Sequence, residues 1–288
     1  MPHLTTEWGN PSSSYKFGSK LKGILESERE QVAELIGAHM GEVLFTACAT
    51  ESNNTAIHAA LMTTGKRHVV TSAVEHSSVL NYCRVMERDG CRVTYLPVDR
   101  DGLLTLADLE NAITNETAVV SLMWANNETG VLFPVAEIAA ICRARGVLFH
   151  CDAVQAAGKI DIDVRRGQVD YLSLTGHKFH APKGIGALYV RRKAPLIPLI
   201  YGGHQERGLR GGTECVPLIV GMGKAAELAR KHLPSYRQEG PPVARCVGGR
   251  HSEFDPRHGV EWSQDPAVSQ HDQHHLPRDR IRGVVDPA

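Results

Sequence analysis

The chain has 288 residues, enough for one large domain or two modest ones and for a buried core that needs no disulfide or metal staple. Hydrophobic residues make up 42% and charged residues 22%, and 32 basic side chains balance 32 acidic ones, so nothing electrostatic calls for a nucleic-acid or anionic-membrane partner. No apolar run approaches the roughly 18 residues of a membrane span, and MPHLTTEWGN lacks the basic and apolar regions of a signal peptide, which reads as a cytoplasmic protein.

In chain order, Leu21, Ile24, Leu25, Val32, Leu35 and Ile36 fall at three- and four-residue intervals, which predicts a helix from Ser19 that stops at Gly37. Strands and helices then alternate. Val43–Thr46 reads as a strand, Glu51–Thr63 as a helix, His68–Thr71 as a strand, Ser77–Asp89 as a helix and Arg92–Leu96 as a strand. Leu106–Ile113 (helix), Ala118–Met123 (strand), Val135–Arg145 (helix) and Val147–His150 (strand) continue the series. Asp170–Leu174 and Gly186–Val190 add two strands, the second a candidate for antiparallel pairing. Such alternation predicts an α/β fold, with a mostly parallel sheet flanked by helices and ligands at the carboxyl ends of strands. The seven cysteines, an odd number without Cys-x-x-Cys spacing, point to neither a disulfide framework nor a metal site.

Five strand ends carry chemistry. Lys178, in Thr175-Gly176-His177-Lys178, offers an amine for a Schiff base; alone it would read as a solvated surface lysine. Asp152, in His150-Cys151-Asp152-Ala153-Val154-Gln155, is an acid suited to keeping a pyridine nitrogen protonated, or else the cap of the next turn. Ala49-Thr50-Glu51-Ser52-Asn53 opens a helix and suits a phosphate, or is an ordinary cap; the glycines of a dinucleotide or nucleotide loop are missing. His76, in Glu75-His76-Ser77-Ser78, could lie on an aromatic ring and exchange protons, or be a hydrogen-bonded loop histidine. Asn126-Asn127-Glu128-Thr129-Gly130 could hold a ring hydroxyl or be a plain turn. Together, an anion cradle, an imidazole, an amide, an acid and an amine are what a phosphorylated pyridine aldehyde requires.

With Gly9-Asn10-Pro11-Ser12-Ser13 and Gly202-Gly203-His204-Gln205-Glu206-Arg207-Gly208 added, the sequence from about Gly9 to about Gln238 resembles the NifS/IscS-type cysteine desulfurases. These are class V aminotransferases of the fold type I pyridoxal-phosphate group, and the last motif, running on to Gly212-Thr213-Glu214, looks closest to the nitrogen-fixation branch. The resemblance implies a pyridoxal 5'-phosphate cofactor bound covalently by Lys178, with His76 stacked on its ring and Asp152 on its nitrogen. It implies Asn127 and Gln155 at the ring hydroxyl, and Ala49, Thr50, Thr175, Gly176 and His177 around the phosphate. Thr213 would reach the phosphate of a neighbouring subunit, hence a homodimer. It further implies that sulfur leaves L-cysteine as a persulfide on a catalytic cysteine, alanine is released, and an iron–sulfur scaffold protein accepts the sulfur.

The division expected is 1–18 as a remnant of an N-terminal small-domain segment, 19–238 as the cofactor-binding large domain, and 239–288 as an irregular tail. The N-terminal Asp/Asn-Ala-Ala-Thr-Thr region, the Ser-x-Ala-Cys loop and the C-terminal substrate-gripping arginine of relatives are not found, so the small domain is expected to be largely missing and activity impaired. Gly240–Ala288 holds six prolines, five histidines, six arginines and no lysine, as an out-of-frame translation of GC-rich DNA would. Loss of the small domain would expose apolar surface and favour aggregation. Alternatives are a non-catalytic cofactor-binding remnant or partner subunit, another class V enzyme such as a selenocysteine lyase, and metal binding by His271, His274 and His275.

Overall fold

The computed structural model describes residues 2–167 and 169–239. Two short helices, α1 (Pro2–Thr5) and α2 (Lys16–Ser19), precede the long α3 (Leu21–Leu35). The expected stop at Gly37 is a Schellman turn: Gly37 has φ +67°, and the N–H groups of Gly37 and Ala38 bond the carbonyls of Glu34 (3.3 Å) and Ala33 (2.9 Å). β1 (Val43–Thr46), α4 (Ala49–Thr64), β2 (His68–Ser72), α5 (Ser77–Arg88), β3 (Arg92–Leu96), α6 (Leu106–Ala112), β4 (Thr117–Met123), α7 (Val135–Ala144) and β5 (Leu148–Asp152) follow. The described part ends with α8 (Val164–Gly167), β6 (Tyr171–Thr175), β7 (Gly186–Val190) and α9 (Val216–Glu239).

The seven strands form one sheet in the order β1-β7-β6-β5-β4-β2-β3, parallel except for β7, which runs antiparallel to both β1 and β6. β2, β4 and β6 are buried along their whole length, as expected of strands covered by helices on both faces. One apolar cluster unites Val70, Val120, Leu122, Phe149 and Leu172 with α3 and α9, and a second packs Ala56, Ile57 and Leu61 of α4 on Val69, Val119 and Leu188. α9 lies along α3 at close range, where a Cβ on Gly223 would fall 2.9 Å from the Cα of Glu28.

Three boundaries shift in ways that matter. β5 and β6 run on through Asp152 and Thr175, so both residues are the last of their strands, and α4 begins at Ala49, two residues before the expected start. α9 was not among the expected elements. Trp8, Tyr15 and Tyr201 stand 70%, 78% and 75% exposed, large apolar side chains without cover among the described residues. The irregular tail, Cys246 and the tail histidines lie outside the described residues. No helix among the described residues is long and apolar enough to cross a membrane.

Candidate functional site

The candidate residues gather along one edge of the sheet. β2, β4, β5 and β6 end there because they are parallel, and β1 ends there because it and β6 both pair antiparallel with β7. Thr46 at the end of β1 opposes Gly186, which in turn opposes Thr175 at the end of β6. Position 186 must be glycine for this: a Cβ would lie 2.7 Å from the carbonyl carbon of Cys48, the residue that caps α4. The first turn of α4 is thereby pressed against β7, the neighbour of the strand that leads to Lys178.

That turn is open. Cys48 supplies no side-chain cap, so the amides of Ala49 and Thr50 are not taken from that side, and the positive end of a 16-residue helix faces the edge. Glu51 is committed elsewhere: it accepts from the Ala47 N–H (2.8 Å) and pairs with Arg210 (2.9 Å), tying α4 to the glycine-rich segment that ends at Thr213. Thr213 itself is exposed, and no hydrogen bond among the described residues ties it to the other candidates.

Lys178 is exposed on a single 3-10 turn, Gly176–Phe179. Two backbone features fix that turn. A Cβ on Gly176 would lie 2.8 Å from that of Ala181, and His180 closes the turn with φ +71°. The Thr175 hydroxyl, 2% exposed, sits 3.2 Å from His177 Nδ1. Burial and the charges of Lys178 and Lys183 lower the His177 pKa, favouring the neutral ring. Half-buried Lys159 donates to Gln155 Oε1 (2.8 Å), and burial followed by the charge of Lys178 lowers its pKa. Lys159 therefore lies within electrostatic reach of Lys178.

Asp152 is buried at the end of β5. Its Oδ1 accepts from the Val154 N–H (3.0 Å) and its Oδ2 from Asn53 Nδ2 (2.7 Å). Burial raises its pKa against those two donors and against the nearby His76. A carboxylate so placed can hold a positive charge brought to it. His76 caps α5, its Nδ1 accepting from the Ser78 N–H (3.2 Å) with the ring exposed. Asn126 builds its turn by accepting from the N–H groups of Glu128 and Thr129, while exposed Asn127 donates to Glu128. A cavity of about 320 Å³ opens beside the cradle, lined by Thr50, Asn54, Ser77, Ser78 and Tyr82 rather than by Lys178.

Glu75 belongs to this site although sequence reasoning gave it no role. It is buried, and one carboxyl oxygen accepts from Ser72 Oγ (2.8 Å) and the Met123 N–H (3.0 Å) while the other has no partner. Burial, aided by the charge of Asp152, pushes its pKa from 4.5 to about 8, so the folded state holds it neutral. Its stabilising contribution is complete below pH 4.5 and is lost as pH rises through about 8. Glu75→Gln, neutral at every pH, is expected to flatten the alkaline side of the stability curve, removing a fall of about 1.4 kcal/mol per pH unit inside that window. Parallel melting-temperature profiles of the two proteins between about pH 5 and pH 9 would refute the neutral assignment.

The cysteines are unequal. Cys83 and Cys142 are buried, with thiols pushed up to about 12, and Cys151 is raised well above its ordinary value by burial and then by Asp152. None of these three supplies a thiolate near neutral pH. Cys48 is half-buried at the cradle and Cys215 is exposed. No cluster of His, Cys, Asp or Glu among the described residues is arranged to hold a metal ion.

This geometry agrees with what the chain is similar to. The aminotransferase class-V family model matches residues 1–238. The chain belongs to the aminotransferase class-V family. It is 50% identical over 240 residues to cysteine desulfurase 2 of Trichormus variabilis, covering 83% of this chain and 60% of that protein. It is 53% identical over 234 residues to a cysteine desulfurase of a Nostoc species, covering 81% and 58%. The chain thus spans about 60% of the length of these relatives. Among solved structures, a NifS-like protein superposes with TM-score 0.79 at 40% identity, covering 81% of this chain and 65% of that one. SspA in complex with cysteine superposes with TM-score 0.76 at 43% identity, covering 78% and 66%. The α/β sheet expected from the strand–helix alternation and the fold type I architecture that the resemblance implied are thereby established, and members of this class-V family are pyridoxal-phosphate enzymes.

Proposed function

We propose that this class-V chain is the cofactor-holding part of a cysteine desulfurase, acting on L-cysteine with pyridoxal phosphate to give alanine and persulfide sulfur for iron–sulfur cluster assembly. The observation that carries the reading is Asp152, a buried carboxyl held by the Asn53 amide and the Val154 N–H, at the sheet edge that also presents the exposed amine of Lys178. Pyridoxal phosphate fits the donor set. Its dianion suits the uncapped first turn of α4, with Thr50, Thr175, Gly176 and His177 around it. Its ring nitrogen would bring a positive charge to the Asp152 carboxyl, and its aldehyde suits the amine of Lys178. The cofactor, when bound, supplies an electron sink for the carbon that carries the substrate's amine.

The chain's own groups divide the remaining work. Asp152 holds a proton on the ring nitrogen, and Asn127 and Gln155 offer amide groups to the ring hydroxyl. His76 presents an exposed imidazole able to take up or return a proton at Nε2. The amine of Lys178 would serve as a base toward the same carbon. Thr213 completes the phosphate site of a second copy, so the working unit is a homodimer. The acceptor of the sulfur is a scaffold protein of cluster assembly, nitrogenase clusters included, and the setting is the cytoplasm.

A second reading rests on the cysteines: of the four buried ones, Cys83, Cys142 and Cys151 have thiols that burial holds protonated. On that reading the chain holds cofactor without completing sulfur transfer alone. Measuring alanine from L-cysteine with the cofactor-loaded chain separates the two. Alanine release supports the desulfurase. Bound cofactor without alanine supports the second reading, and activity restored by an intact homologue marks a partner subunit. A folded chain that takes up no cofactor overturns both.

A further inference from the structure

We propose that Asn53 and Ser78 are positioning residues that lock His76 with its proton on Nε2 and join it by a hydrogen-bond relay to Asp152. Asn53 is fully buried on α4, and its amide nitrogen spends both hydrogens, one on Asp152 Oδ2 (2.7 Å) and one on Ser78 Oγ (2.9 Å). The reverse amide orientation would set its oxygen against the Asp152 carboxylate, so the nitrogen faces the acid. Having accepted from Asn53, the Ser78 hydroxyl keeps one hydrogen to donate, and His76 Nδ1 lies 2.8 Å away. The Ser78 backbone N–H points at the same nitrogen from 3.2 Å. A ring nitrogen facing two donors cannot itself carry a proton, so the neutral imidazole is protonated at Nε2.

The relay runs Asp152–Asn53–Ser78–His76 and crosses from β5 through α4 to the start of α5. Asn53 Oδ1 is left buried without a partner, a cost that the two donated bonds offset. The tautomer follows from the hydrogen bonds alone. Its use, a proton kept on the nitrogen that is free to meet substrate, rests on the proposed function.

Ring-nitrogen NMR of the 15N-histidine-labelled chain without cofactor tests it, with the His76 signals assigned from their loss in His76→Gln. The expected wild-type spectrum at about pH 8, where imidazole is neutral, is a single Nε2–H tautomer. Ser78→Ala, which removes the hydroxyl but keeps the backbone N–H at Nδ1, is expected to shift the Nδ1 resonance and weaken the tautomer preference, and Ser78→Thr to restore it. Asp152→Asn is expected to move the His76 Nδ1 resonance, and much less so in an Asn53→Ala background. A proton on Nδ1 in the wild type, a Ser78→Ala spectrum identical to it, or an Asp152→Asn effect undiminished without Asn53 would each overturn the relay. If Ser78→Ala fails to fold, the wild-type tautomer and the Asn53 arm decide. Because no cofactor is present, failure of the cofactor reading leaves these outcomes intact.

Discussion

Replacing Lys178 by alanine is expected to abolish every borohydride-fixed pyridoxal adduct on the chain, and to lower any alanine release from L-cysteine by on the order of 10⁴-fold, the scale seen when a covalent catalytic group is removed. The amine is exposed, and its turn is held by Gly176, which has no room for a side chain, and by His180 in the left-handed region. Lys178→Arg should lose the adduct just as completely, because a guanidinium keeps the charge but stays protonated and forms no imine. Lys159→Met is the control that keeps it: Lys159 sits close enough to feel the charge of Lys178 but is committed to Gln155. Peptide mapping after reduction reads all three. An adduct on another lysine, or none on a folded protein, would remove the basis of the proposed function.

Much of this was legible from residue order, for identifiable reasons. Each strand announced itself by a short β-branched or aliphatic run, and each candidate side chain followed such a run, where parallel strands present ligands. β7 could be expected to pair antiparallel, and its pairing is what turns β1 and α4 toward β6. The helix α9 stayed hidden because Gly221, Gly223 and Pro234 lower its intrinsic propensity. Yet Ile219, Met222 and Ala226 do recur at helical spacing, and Gly223 is there because α3 passes too close for a side chain. Tertiary packing overrides local preference at that crossing.

Within the site, Asp152 and Lys178 could be picked out from their strands, but the roles of Glu75, Asn53 and Ser78 could not. Their significance lies in partners 48, 99 and 25 positions apart: Glu75 with Met123, Asn53 with Asp152 and Asn53 with Ser78. The one local signal was a polar residue on the inward face of α4, beside Ala56 and Ile57, which a buried amide occupies only with partners.

The largest stability effect is expected far from Lys178, at Arg29 and Glu206. Glu206 opens the turn in the glycine-rich segment with φ +46°, and Arg207 follows with φ +60°, conformations that cost side-chain-bearing residues about 1–3 kcal/mol each. The Glu206 carboxylate, 5% exposed, accepts from Arg29 Nη1 (2.6 Å), Arg29 Nη2 (2.9 Å) and the Phe45 N–H (3.0 Å), and the guanidinium lies 4.7 Å from the Phe45 ring centre. Arg29 and Arg207 both donate to the Val43 carbonyl, at 3.2 and 2.8 Å. The strained turn is thus pinned to α3 and β1 by one buried ion pair. Such a pair adds little over a well-packed apolar substitute, but removing Glu206 leaves the buried guanidinium only the half-exposed Glu26 (3.2 Å) as a charged partner, at up to about 3–5 kcal/mol. Glu206→Gln is therefore expected to lower the thermal midpoint by roughly 10 °C, whereas Arg29→Met/Glu206→Gln should recover part of that loss, since the Phe45 N–H keeps an acceptor, the buried guanidinium is gone and the Glu26 carboxylate released from it is half-exposed. The same single substitution should loosen the segment carrying Arg210 and Thr213, so amide exchange there should quicken while β4 and β5 stay protected. Additive melting losses in the double variant, or a Glu206→Gln protein as stable as the parent, would show that the turn holds itself and that the buried pair does not anchor it.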